Sequence, residues 1–152
     1  MTLAFLSPAG AAPDVRRVSP LARVDFRGPV RAASTGVVEL RGPHDEPGLV
    51  RLTPDRALLL TDDPLGDRDR LRSAGVRAYD LTAAYAAIDV DGERLFRRLS
   101  DLDPAALPAA GPVARGVAAL VTRSGETFRL LVPQELAHSV AELALDAAEG
   151  LA

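Results

Sequence analysis

No periodic apolar pattern is visible along the chain before Leu21. Residues 1–20 contain three prolines (Pro8, Pro13 and Pro20) and read as a flexible N-terminal extension or a segment draped over a partner. Short apolar stretches follow at residues 24–26, 37–40 and 49–52, punctuated by Gly28-Pro29, Gly42-Pro43 and Pro47-Gly48. They read as short strands or extended loops. Residues 57–61 (ALLLT) are a continuous apolar run of strand length. Asp63-Pro64 then offers an N-cap and a proline at the first helical position. With Gly75 as terminator, this predicts a helix of about ten residues.

Residues 76–90 contain the alternation of a half-buried strand, with Ala84, Ala86 and Ile88 set against Tyr85, Ala87 and Asp89. Asp91 is placed to cap a second helix ending at Leu99, whose apolar face is Leu95, Phe96 and Leu99. Residues 101–111, with Pro104 and Pro108, read as a loop. Residues 116–122 and 127–132 read as two strands of a hairpin joined at Ser124-Gly125, because glycine accepts positive φ without steric cost. Pro133 opens a last helix with Leu136, Val140, Leu143 and Ala147 on one stripe, ended by Gly150. The order β-α-β-α-β-β-α predicts an α+β fold, an antiparallel or mixed sheet with helices on one face, as a single domain over residues 21–152.

Composition narrows the chemistry. A chain of 152 residues holds one domain and needs no covalent staple. It has no cysteine, which excludes thiol nucleophiles, disulfides, iron–sulfur clusters and thiolate zinc sites. All eighteen basic residues are arginine, so Schiff-base chemistry, a pyridoxal phosphate aldimine and a Walker-type lysine are excluded too. With a net charge of −3 and arginines scattered among acidic residues, no nucleic-acid partner is expected. No apolar run approaches the roughly twenty residues of a membrane span, so no membrane association is expected. The first residues lack a basic n-region and their apolar run is too short for a signal peptide, which makes the expected location cytoplasmic.

The reactive side chains form no recognisable constellation. His44 lies in a turn-rich loop and His138 on the last helix, without the spacing of a metal motif, and both are assigned solvent or packing roles. Asp62, Asp63, Asp67 and Asp69 lack the ligand alternation of a calcium loop and suit helix capping and solvation. There is no GxSxG and no GxGxxG, and the few aromatic residues do not interleave with arginines. Arg68, Arg70 and Arg72, with Arg77 beyond, could clamp an anion. The preferred reading is a solvated helix face paired to Asp67 and Asp69, with a partner-facing patch next. No catalytic, cofactor-binding or metal-ligating residue is assigned. Arg97 and Arg98 are candidate anchors for a protein partner.

Five segments, in order, resemble the gamma subunit of heterotetrameric sarcosine oxidase. Ser19-Pro20-Leu21-Ala22 looks like its "SPLA", and Leu52-Thr53-Pro54-Asp55-Arg56-Ala57-Leu58-Leu59 is similar to its "L-G-P-D-E-W-L-L". Asp80-Leu81-Thr82, continuing through Ile88-Asp89-Val90-Asp91-Gly92 to Leu99, resembles the "D-V-S-x5-L-x-V-x-G" of the wider folate-binding aminomethyltransferase group. Asp101-Leu102-Asp103-Pro104-Ala105-Ala106-Leu107-Pro108 looks like "L-D-L-x-P-x-x-F-P". Phe128-Arg129-Leu130-Leu131-Val132-Pro133, followed by Glu135-Leu136-Ala137, resembles "F-E-L-x-V-P-R-S-Y-A". The structural reading of these residues is that Asp80 and Thr82 bond nearby backbone N–H groups and Gly92 permits a sharp strand-to-helix turn.

The resemblance implies an aminomethyltransferase folate-binding-domain-like fold and a non-catalytic accessory subunit. Its larger partner subunits would carry out the oxidative demethylation of sarcosine and would hold FAD, FMN, NAD and tetrahydrofolate. Asp101 falls where the glycine-cleavage aminomethyltransferase has an aspartate near folate. The chain lacks that enzyme's second half and its "G-G-x-x-D-D" hairpin, so Asp101 is given no catalytic role. The alternative reading is a small folate-type ligand-binding module related to that enzyme. A third is a homo-oligomer of the same fold with an unrelated role, and self-association of the isolated chain stays open.

Overall fold

The computed structural model describes residues 19–152. Residues 1–18 of the expected extension lie outside the described residues. Nine strands and three helices follow in the order β1 (Val30–Ala33), β2 (Gly36–Arg41), β3 (Leu49–Thr53), β4 (Arg56–Thr61), α1 (Pro64–Ser73), β5 (Arg77–Asp80), β6 (Tyr85–Asp91), α2 (Glu93–Leu99), β7 (Ala109–Val113), β8 (Val117–Ser124), β9 (Thr127–Pro133) and α3 (Ala137–Glu149). The α+β class holds. The single expected sheet does not, because the strands divide into two wholly antiparallel sheets, ordered β1-β6-β9-β8-β7 and β3-β4-β2-β5.

Strand periodicity makes this a four-layer stack. On one face of the five-stranded sheet Ile88, Val90, Val121, Phe128 and Leu130 pack under Leu95, Phe96 and Leu99 of α2 and Val140, Ala141, Ala144 and Leu145 of α3. Its other face offers Ala87, Leu120 and Leu131 to Val37, Val50 and Leu58 of the second sheet. The far face of that second sheet, with Val38, Leu40, Leu59 and Ala78, is closed by Leu71 of α1. The layers therefore run helix pair, sheet, sheet, helix, rather than one sheet with helices on one face.

Several local expectations are met. Asp63 caps α1 by accepting from Gly66 N–H at 3.1 Å, with Pro64 in its first turn, and Gly75 follows it at φ +85°. Others are corrected. Residues 24–26 form no strand; Val24 N–H bonds to Leu21 O in a turn that drops both side chains into the α2–α3 core. The alternation over residues 76–90 belongs to two strands in different sheets, β5 and β6, broken by a short 3-10 turn at Thr82–Ala84. β6 is covered on both faces, not half-buried, with Ala87 through Val90 all buried.

Asp91 does not cap α2. Gly92 does so at φ +97° without a side-chain bond, while the Asp91 carboxylate accepts from Arg31 and from Thr127 Oγ1. Within the expected loop at 101–111 lies the start of β7, an edge strand that tolerates Pro112 because its outer side needs no ladder hydrogen bond. In the β8–β9 hairpin Ser124 pairs with Thr127, so the two turn residues are Gly125 and Glu126. The buried stripe of α3 is Ala137, Val140, Ala141, Ala144 and Leu145, rotated from the expected one. Leu136 lies before the helix and is exposed.

Candidate functional site

The structure separates the residues that composition brought to notice. Arg68 pairs with Asp69, and Arg70 with Asp67 and Glu46. Arg72 donates to Ala78 O at 2.8 Å and lies over the Tyr79 ring, so it stitches α1 to the edge strand β5. Arg68 and Arg70 are paired to Asp69 and Asp67 as expected, whereas Arg72 has no carboxylate partner among the described residues. Arg77 is not part of that face; it belongs to β5.

His44 sits 3.1 Å from Glu46 beside the second sheet, and His138 is 3.8 Å from Glu142 one turn along α3, in the opposite outer layer. Among the described residues no group of three or more His, Asp and Glu side chains could hold a metal ion. Asp101 is exposed after α2, and its carboxylate accepts no hydrogen bond among the described residues. Asp80 accepts from Thr82 N–H at 3.0 Å and from its hydroxyl, while Thr82 Oγ1 accepts from Val37 N–H at 3.0 Å. That relay closes the crossing from β5 to β6 onto β2 and is structural.

Two surfaces remain with unbalanced charge. The first is the outer face of α2. Arg97 pairs with Glu93, but Arg94 and Arg98 have no side-chain partner among the described residues, although they stand one turn apart with like charge. Beside Arg98 a cleft of about 360 Å³ opens between α2, α3 and the β7–β8 turn. It is lined by Leu99, Arg115, Leu143, Asp146 and Ala147.

The second lies on the inner face of the four-stranded sheet, at the end away from the interlayer contacts. Register places Arg41 of β2 directly opposite Arg56 of β4 on one side and Arg77 of β5 on the other. In the next row Glu39 stands opposite Tyr79. Glu39 is only 5% exposed. It accepts from Arg41 Nε at 3.1 Å and from Arg56 Nε. Burial pushes the Glu39 carboxyl up, but the hydrogen bonds from Arg56 and Arg41 outweigh it and hold the group below the usual carboxylate range. A concavity of about 320 Å³ is bounded by Glu39, Arg41, Arg77, Tyr79 and Leu81. The sequence passes over this group because its members are remote along the chain. The one signal is Glu39 itself, a carboxylate inside the apolar strand GVVELR.

No family model matches the chain, and no curated protein matches it in sequence. Comparison of folds does find similar solved structures. A chain of the heterotetrameric sarcosine oxidase from Corynebacterium sp. U-96, solved in complex with pyrrole 2-carboxylate, superposes with a TM-score of 0.70 at 18% identity. The match covers 88% of this chain and 95% of that one. The fold is shared with a sarcosine oxidase chain. The ligand-free regulatory subunit of aspartate kinase from Thermus thermophilus gives a TM-score of 0.46 at 15% identity, over 78% of this chain and 96% of that one. Among the described residues no helix is long and apolar enough to cross a membrane.

Proposed function

We propose that this chain is a non-catalytic accessory subunit of a sarcosine oxidase-like flavoprotein complex, of the gamma type. The observation that carries the reading is the fold likeness to a sarcosine oxidase chain over nearly the full length of both. The order of segments from Ser19-Pro20-Leu21-Ala22 to the strand FRLLVP agrees with it. In this reading the two-sheet fold is a version of the aminomethyltransferase folate-binding type. FAD, FMN, NAD and tetrahydrofolate belong to the larger subunits, which oxidise sarcosine.

The docking face under this reading is the outer side of α2 with the adjoining cleft. Arginine is favoured at protein interfaces, and Arg94, Arg98 and Arg115 have no side-chain partners among the described residues, so carboxylates from a partner would find free donors there. Leu99, Leu143 and Ala147 supply an apolar floor beneath them. The test is co-expression with large subunits of the heterotetrameric sarcosine oxidase type, followed by gel filtration. The chain is expected to co-elute with a yellow, sarcosine-oxidising complex and to be colourless and inert when purified alone. A flavin-bearing isolated chain, or an active complex from which it is absent, overturns the reading.

A further inference from the structure

Each sheet carries a row of charged residues across neighbouring strands, and the two rows differ in sign pattern. In the five-stranded sheet Arg31, Asp89 and Arg129 stand opposite one another on β1, β6 and β9. Signs alternate, and each cation has a carboxylate: Arg129 grips Asp89 through two bonds of 2.8 and 3.0 Å, and Arg31 holds Asp91. In the four-stranded sheet the corresponding row on β5, β2 and β4 is Arg77, Arg41 and Arg56. Like charges directly opposite across an antiparallel pair oppose folding.

Glu39 is the sole carboxylate that meets this row among the described residues. It is fully engaged by Arg41 and Arg56 and leaves Arg77 without a side-chain partner. Three guanidinium charges against one carboxylate leave two positive charges. They border a concavity of about 320 Å³. That size falls at the small end of the range for small-molecule pockets. Its remaining walls are Leu81 and Tyr79, the latter 42% exposed on the edge strand β5. Solvent relieves part of this charge, the Arg41 and Arg56 side chains being 44% and 34% exposed, and a bound anion would relieve the rest.

We propose that this concavity is a binding site for a small organic dianion of the dicarboxylate class. One carboxylate takes the free donors of Arg77 and the other the terminal nitrogens of Arg41, of which only Nε is held by Glu39, while the carbon skeleton lies against Tyr79 and Leu81. Glu39 acts as the organiser: by holding Arg41 and Arg56 it fixes the fork geometry that bidentate carboxylate recognition requires. The site is separate from the α2 face and stands whether or not the chain has a protein partner.

The experiment is titration calorimetry of the full chain with succinate in chloride buffer of matched ionic strength, with sulfate as the bare-anion arm. Succinate binds and Arg77→Gln weakens it about tenfold, as expected for one lost charge-assisted contact. Arg68→Gln, on the paired face of α1, leaves binding unchanged. Because it removes a like charge, ligand-free Arg77→Gln melts no lower than the parent, which separates a binding role from a structural one. Tyr79→Ala weakens succinate but not sulfate. Absence of succinate binding, equal binding by Arg77→Gln, or sulfate binding as tightly as succinate would each overturn the assignment.

Discussion

Replacing Glu39 with glutamine removes the one negative charge from the arginine row while keeping size and shape. The parent carboxylate makes two charge-assisted hydrogen bonds, to Arg41 and Arg56. A charged bond is worth about 1 kcal/mol more than a neutral one, so two come to about 2 kcal/mol. The glutamine amide must also turn its NH₂ toward one guanidinium, which donates as well, and this adds to the loss. Solvent subtracts from it: the Arg41 and Arg56 side chains are 44% and 34% exposed and regain water. The two corrections oppose each other, and the expected cost stays at about 2 kcal/mol. In a domain of this size that lowers Tm by roughly 4–8 °C. Thermal unfolding at pH 7 followed by circular dichroism reads it directly. A double-mutant cycle supplies the sign test. Arg56→Gln alone destabilises, because it strips a partner from buried Glu39. In the Glu39→Gln background the same change is neutral or stabilising, because it removes an orphaned like charge. A loss under about 0.5 kcal/mol for Glu39→Gln, or an equal cost for Arg56→Gln in both backgrounds, refutes the reasoning.

Three further outcomes follow from the structure. Phe128→Ala removes a fully buried ring stacked on Phe96 at 4.4 Å and faced by Arg123 at 4.8 Å; it should cost about 3–5 kcal/mol in denaturant unfolding, and a cost below 1.5 would contradict the packing. Acid should destabilise the chain. Glu46 is held low by Arg70, Asp67 by Thr61 and Asp91 by Arg31, and Glu39 by arginines that outweigh its burial. With folded values below unfolded ones, the unfolded state binds more protons, so stability is present above about pH 4.5 and falls as pH drops through the folded values; a Tm unchanged from pH 7 to 3 would contradict this. Tetrahydrofolate at about 1 mM should leave Tm unchanged, since only a ligand selective for the folded state raises it. A rise of several degrees would favour the folate-binding alternative.

The sequence displays what local chemistry controls and hides what register controls. α1 is legible because Asp63, Pro64 and Gly75 each impose a local backbone preference. β1 and β7 are not: VRAA is four residues long, and AAGPV contains two residues that ordinarily break strands. The second sheet is hidden because residues 76–90 look continuous, while the turn from one sheet to the other is made by the 3-10 turn at Thr82–Ala84 and the Asp80–Thr82–Val37 relay, together with the Leu81 N–H bond to Val37 O. Asp91 resembles a cap by position, yet its partners Arg31 and Thr127 come from other strands and outcompete the helix end. The arginine row is the extreme case. Arg77 follows the α1 arginines in sequence, but the pairing of β5 with β2 sets it beside Arg41 instead.

The accessory-subunit reading is tested most directly by hydrogen exchange on the chain alone and after co-expression with large subunits of the sarcosine oxidase type. The account predicts new protection in residues 1–20 and along the α2 face around Arg94 and Arg98, with β2, β6 and β9 unchanged. Identical exchange in the two samples, together with full sarcosine oxidation by the large subunits without this chain, would contradict it.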